Sequence, residues 1–170
     1  MPLNVEIKAK TDRPAEIRAI LRSLNALEKG TDHQTDTYFH CSNGRMKLRQ
    51  GNIENNLIFY RRGDQAGPKT ASVFLHRTTP DPELKTLLSE ALGIWKEVVK
   101  SREIFFIDNV KFHLDQVQGL GSFVEIEAID TDNSIGEETL LKQCKHYMQL
   151  LGIEEHDLLT GSYSDMPVKG

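Results

Sequence analysis

The segment Asn4-Val5-Glu6-Ile7-Lys8-Ala9-Lys10 alternates polar and apolar residues without a break. Side chains of an extended strand point alternately to opposite sides. Val5, Ile7 and Ala9 therefore form one apolar face, and Asn4, Glu6, Lys8 and Lys10 one polar face. Later stretches repeat the pattern with charges of both signs. Asp36–Phe39 reads as a strand, and Arg45–Arg49 sets Arg45, Lys47 and Arg49 against Met46 and Leu48. Leu57–Arg62 groups Ile58, Tyr60 and Arg62; Ala71–His76 is a further strand. Val98–Ile107 puts Lys100, Arg102, Ile104 and Phe106 on one face. Val110–Val117 puts Lys111, His113 and Asp115 opposite Phe112 and Leu114. In Phe123–Glu127, Glu125 and Glu127 share a side, with Val124, Ile126 and Ala128 on the other.

Between these strands the period changes to that of helices. Thr11 or Asp12 caps a helix with Pro14 in its first turn; Ile17, Ile20, Leu21, Leu24 and Leu27 form a stripe of core residues, and Gly30 ends it. Pro80-Asp81-Pro82 starts a second helix with Leu84, Leu87, Leu88 and Leu92, closed by Gly93. A third runs from about Gly136 to Leu151, with Leu140, Leu141, Cys144, Tyr147, Met148 and Leu151 inward. Gly63 to Lys69, with Gly67-Pro68, is a loop, expected to be the most mobile stretch of the first half.

The predicted order is β-α-β-β-β twice, then α. Hairpin-length connections favour antiparallel pairing. Charges on one strand usually mark a solvated outer face. Six strands with aliphatic residues always opposite point instead to a closed sheet with a charged interior. The expected fold is α+β: a single domain over residues 1–170, an eight-stranded antiparallel barrel or tunnel built from two similar halves, with helices packed outside.

Composition narrows the function. A net charge of -4 argues against a generic nucleic-acid binder. No apolar run approaches the ~20 residues of a membrane span, and the first residues lack a signal-peptide core. Cys41 and Cys144 stand far apart, without metal-site or disulfide spacing. A cytoplasmic location is expected. A homodimer, through an exposed strand or the last helix, is compatible with the pattern.

The interior set comprises Lys8, Lys10, Lys47, Arg49, Arg62, Lys100, Arg102 and Lys111, with Arg45 near a mouth, and Glu6, Asp115, Glu125 and Glu127. So many buried charges need water and a charged ligand to compensate them. Lys and Arg on several strands match triphosphate oxygens. Clustered carboxylates match Mg²⁺ or Mn²⁺. Glu125 and Glu127, two apart on a strand, necessarily converge, although such a pair reads equally well as a surface feature. His113 is more often a structural or lining residue than a ligand.

At this point the chain resembles a known family. Asn4-x-Glu6-x-Lys8-x-Lys10 is similar to the Glu-x-Glu-x-Lys signature of the CYTH superfamily, the triphosphate tunnel metalloenzymes. Further matches are Asp36-Thr37-Tyr38-Phe39, Lys47-Leu48-Arg49, Lys100-Ser101-Arg102-Glu103 and His113-Leu114-Asp115. Gly119-Leu120-Gly121-Ser122-Phe123-Val124-Glu125-Ile126-Glu127, the most specific stretch, and Ser162-Tyr163-Ser164-Asp165 complete the series. The resemblance is closest to the class IV adenylyl cyclase branch. It implies an eight-stranded tunnel with Lys8, Lys10, Lys47, Arg49, Arg62, Lys100, Arg102 and Lys111 on substrate phosphates. Lys8, Arg62, Lys100 and Arg102 are the expected catalytic cations. Glu6, Glu125 and Glu127 would hold Mg²⁺ or Mn²⁺, with Asp115 as an extra ligand or hydrogen-bond partner. Asn4 departs from the signature: an amide offers an oxygen but no charge, which bears on whether a second metal is held tightly.

The implied partner is a small molecule carrying a triphosphate. A cyclase would convert ATP to cyclic AMP and pyrophosphate. A triphosphatase would hydrolyse tripolyphosphate, thiamine triphosphate or a nucleoside triphosphate. A non-catalytic polyphosphate or nucleotide sensor is the third reading, which the retained carboxylates disfavour.

Overall fold

The computed structural model describes residues 2–62 and 66–167, the Arg62 side chain excepted. Strands β1 (Leu3–Lys10), β2 (Leu27–Phe39), β3 (Arg45–Gln50) and β4 (Asn55–Arg62) form the first half, with α1 (Pro14–Ser23) between β1 and β2. Strands β5 (Lys69–Arg77), β6 (Ile94–Ile107), β7 (Val110–Val117) and β8 (Gly121–Asp130) form the second, with α2 (Pro82–Leu92) between β5 and β6. Helix α3 (Glu137–Leu150) follows. The strands close in the order β1-β5-β4-β3-β2-β6-β7-β8, antiparallel throughout. This is the expected barrel of two similar halves. Residues 63–65 of the expected loop lie outside the described residues, and Lys69 already belongs to β5.

Residues directly opposite in an antiparallel pair share a face, so the register assembles the interior row by row. Glu6 lies opposite Glu127 and Lys8 opposite Glu125. Lys111 lies opposite Glu127, and His113 opposite Glu125. Arg102 faces Asp115 and Asp36 faces Arg49. The alternate residues form the outer surface. Val5, Ile7, Ala9, Phe112, Leu114, Val124, Ile126 and Ala128 are buried beneath Ile17 and Leu21 of α1 and Leu140 and Cys144 of α3. Taking these faces out of water contributes roughly 1.5–3 kcal/mol per large side chain and fixes which face of each strand is left for the interior.

Three expectations about the first helix need correction. Helix α1 stops at Ser23, and Asn25 adopts a left-handed φ of 57°. Leu24 and Leu27 are therefore exposed rather than core, with Leu27 already in β2. Gly30 is no helix stop: at φ 108° it sits where β2 shifts register against β6. The long β6 extends the ladder over residues whose polarity on both faces hides a strand. The cap of α1 is Arg13, whose backbone N–H donates to Thr11 Oγ1, rather than Thr11 or Asp12. Helix α2 starts and ends where expected, with Asp81 as its cap and Gly93 at its end; of its leucines, Leu84 and Leu88 are half-buried, whereas Leu87 and Leu92 are exposed. Among those residues no helix is long and apolar enough to cross a membrane.

After α3 the chain returns to the barrel. The Leu159 N–H donates to the Lys8 carbonyl, and the segment Ser162–Met166 lies across one end. It is pinned by Tyr60 Oη to Ser162 Oγ at 2.8 Å, Tyr163 Oη to Asp115 Oδ2 at 2.6 Å and Lys96 Nζ to the Ser164 carbonyl at 2.9 Å. Tyr163 and Ser164 are buried. The opposite end, beside Asn4, Glu54 and Leu75, is where the cavity opens; Leu75 lines it and is 53% exposed.

Candidate active site

Strands β1, β3, β6 and β7 bring Lys8, Lys47, Arg49, Lys100, Arg102 and Lys111 to one cavity; Glu6, Glu125 and Glu127 line it from β1 and β8. Glu54, on the β3–β4 turn, also reaches it. Asp32 accepts the backbone N–H groups of Ile53 and Glu54, both at 2.9 Å, and so folds that turn inward. Lys10 is exposed at the end of β1 and does not line the cavity. Arg45 sits at the covered end, donating to Asp165 at 3.0 Å, with its guanidinium over Trp95. The Arg62 side chain, expected to be catalytic, lies outside the described residues.

Two buried carboxylates hold the cations in place. Asp36 accepts from Arg49 at 2.9 and 2.8 Å and from Lys100 at 2.7 Å, with Lys47 at 3.2 Å. Burial alone would raise its carboxyl pKa. Arg49, Lys100 and Lys47 more than reverse that and hold it well below the usual range. Asp115 plays the same part for Arg102, accepting two bonds at 2.7 Å. Its second oxygen also takes the Tyr163 hydroxyl. Asp115 is fully buried behind Arg102 and does not line the cavity. Both its oxygens accept hydrogen bonds, and it stands apart from the group that His113, Glu125 and Glu127 form.

On the other wall the carboxylates crowd each other. Burial, with Glu6 and Glu125 adding, keeps the Glu127 carboxyl pKa above its usual value, against Lys111 and a 2.6 Å bond from Asn4 Nδ2. Glu125 lies 3.7 Å from both Lys8 and Arg102; these cations, Lys8 foremost, overcome the effect of burial and hold it well below the usual range. Lys8 Nζ also stands 3.9 Å above the Tyr163 ring. Burial lowers the His113 pKa to about 4, Arg102 and Lys111 adding, so its ring is neutral at pH 7. Glu125 and Glu127 come together with His113, their donor atoms all within 4.8 Å of one another. Glu6 lines the same wall. This donor set suits an oxygen-preferring divalent cation.

The β4–β5 wall differs. Ile58, Ala71, Val73 and Leu75 line the cavity there, giving an apolar surface beside the polar one. Strand parity identifies most of the lining. It leaves out Glu54, which acts from a turn, and Tyr163, which acts from the tail. It also leaves Lys69 in a loop, whereas the residue is buried opposite Glu6 and donates to the Thr160 carbonyl.

Comparison with known proteins agrees with this geometry. A Methanocaldococcus jannaschii protein named "Putative adenylate cyclase" is 25% identical over 96% of this chain and 98% of its own. The PH1012 protein of Pyrococcus horikoshii superposes with a TM-score of 0.78 at 22% identity, covering 98% of this chain and 99% of its own. A Hippeastrum adenylyl cyclase-like protein, described as having a dominant triphosphatase activity, gives 0.62 at 14% identity, over 97% of this chain and 93% of its own. The CYTH domain model matches residues 2–163, nearly the whole chain. The protein belongs to the CYTH domain family.

Proposed function

We propose that the protein is a metal-dependent enzyme acting on the triphosphate of a small organic molecule, converting ATP to cyclic AMP and pyrophosphate. The observation that carries this reading is the meeting, in one cavity, of six cations with the carboxylates of Glu6, Glu125 and Glu127. Lys47, Arg49, Lys100 and Arg102 would take the phosphate oxygens. Their guanidinium and ammonium groups keep further donors beyond those given to Asp36 and Asp115. Glu6, Glu125 and Glu127 fit Mg²⁺ or Mn²⁺, which would neutralise charge on the reacting phosphate. The chain's own part is to align and neutralise. With the triphosphate clamped, the ribose 3′-oxygen bonds to the α-phosphorus, the bond to pyrophosphate breaks, and the hydroxyl proton is lost to solvent.

Hydrolysis is the second reading. The same cations would serve water attacking the terminal phosphorus, and the activity described for the Hippeastrum protein supports it. Under either reading the apolar wall at Ile58, Val73 and Leu75 favours an organic triphosphate over inorganic tripolyphosphate. The test is product identification after incubation with ATP, thiamine triphosphate or tripolyphosphate and Mg²⁺ or Mn²⁺. Cyclic AMP with pyrophosphate supports the cyclase. Inorganic phosphate without cyclic AMP makes it a triphosphatase, and binding without any product leaves a sensor.

A further inference from the structure

His113 is the most conspicuous polar side chain left unused. It is 2% exposed, and neither Nδ1 nor Nε2 has a hydrogen-bond partner among the described residues. Glu125 Oε2 lies 3.6 Å from Nδ1, beyond hydrogen-bonding distance. Buried polar atoms are normally satisfied, and one that is not needs an explanation. A second unpartnered atom lies on the same wall. Asn4 gives its amide N–H to Glu127, and its Oδ1 is buried with no partner among the described residues. Both residues line the cavity beside Glu6, Glu125 and Glu127.

What these atoms lack has a definite chemistry. An imidazole nitrogen lone pair, an amide oxygen and a set of carboxylates are all electron-pair donors toward the cavity. The nearby basic side chains face carboxylates and not these atoms: Lys111 Nζ is 2.6 Å from Glu54, Arg102 gives two bonds to Asp115, and Lys8 lies 3.7 Å from Glu125. A cation that accepts several lone pairs at once would satisfy them together. Donor atoms of His113, Glu125 and Glu127 already lie within 4.8 Å of one another, the spread that one ion spans.

We infer that His113 is a direct ligand of the metal, making the centre a mixed nitrogen–oxygen site that selects Mn²⁺ or Co²⁺ over Mg²⁺. The inference rests on the metal-binding reading of Glu125 and Glu127 above and adds to it the ligand that sets the metal's identity. Carboxylate-only sites suit Mg²⁺, whereas an imidazole ligand favours first-row transition ions. Asn4 strengthens the bias, because its neutral amide supplies less of the charge that a hard ion such as Mg²⁺ draws on.

The test is pulsed electron paramagnetic resonance on the full-length protein loaded with one equivalent of Mn²⁺. A ¹⁴N coupling from a directly bound imidazole is expected, and it should vanish in His113→Gln. Calorimetric titration of the same variant should show Mn²⁺ affinity reduced tenfold or more and Mg²⁺ affinity changed less than threefold. Mn²⁺ that binds with no nitrogen coupling overturns the ligand assignment while leaving the carboxylate site standing. Failure of the wild-type protein to bind Mn²⁺ at all overturns both readings. The wild-type spectrum decides the matter even if the variant does not fold.

Discussion

Asp36 presents both carboxylate oxygens to the Arg49 guanidinium, at 2.9 and 2.8 Å. Paired parallel bonds of this kind are also what a phosphate offers an arginine. Asp36 thus acts as an internal counter-anion, keeping Arg49, Lys100 and Lys47 folded inward. Removing its charge while keeping its shape should expose how much the cluster depends on it. Asp36→Asn is expected to cost on the order of 3–5 kcal/mol, because it leaves buried cations uncompensated. Tripolyphosphate should restore part of that loss, so the rise in Tm on adding it should be larger for the variant than for the wild type.

The same carboxylate sets an acid limit. Asp36 and Glu54 are both held well below their usual range in the folded state, Asp36 by Arg49, Lys100 and Lys47 and Glu54 by Lys111 and Arg49, each against the effect of burial. A depressed folded pKa gives stability that is fully present above the unfolded pKa, about 4, and is lost progressively as pH falls from there through the lower folded pKa. The urea midpoint of metal-free protein should therefore fall steeply on acidification below about pH 4–5. A flat profile from pH 6 to 3 would show that these carboxylates are not linked to folding.

Lys8 stands between Glu125 and the Tyr163 ring, with its ammonium 3.7 Å from the carboxylate. Lys8→Met keeps the stem and removes the charge. Triphosphate affinity should drop about tenfold, or ~1.4 kcal/mol, the loss of one charge-assisted contact. Calorimetry that shows unchanged binding would remove Lys8 from the ligand set.

Glu125→Gln should abolish metal-dependent turnover and also lower Tm, since Lys8 and Arg102, each 3.7 Å away, lose the carboxylate that they hold ionised. Turnover that persists at the same metal concentration would mean that Glu125 is not a ligand.

Tyr163 closes the covered end through its hydroxyl, which reaches Asp115. Tyr163→Phe should destabilise the protein by about 1–3 kcal/mol, because an ionised buried carboxylate loses a donor. Chemical denaturation measures this directly.

Much of this was legible in the sequence because the period of a strand is two. Once Val5, Ile7 and Ala9 were apolar, Glu6 and Lys8 had to share the other face, and the register then set Glu6 opposite Glu127. The start of β2 was hidden because Thr31–Thr35 is polar on both faces: Asp32 and Gln34 turn inward, while His33 meets solvent. Alternation in apolarity, the signal that reveals a strand, is absent there. Asp115 shows a different limit. Parity put it on the inner face, but only the side-chain geometry shows that Arg102 and Tyr163 occupy both of its oxygens. Glu54 and Tyr163 act from a turn and a tail, where no periodicity applies.

Among the described residues, the segment Ser162–Met166 covers one end of the barrel and leaves the cavity open at the other. Under the reading above, the phosphate chain enters first and lies deepest, with the organic part toward Leu75. Departure reverses that order: the part nearest the opening leaves first and the inner phosphates leave last. Pyrophosphate, or phosphate after hydrolysis, should then compete with incoming substrate for the vacated cations, whereas the organic product should not. In this way the course of product inhibition would record which way round the substrate lies.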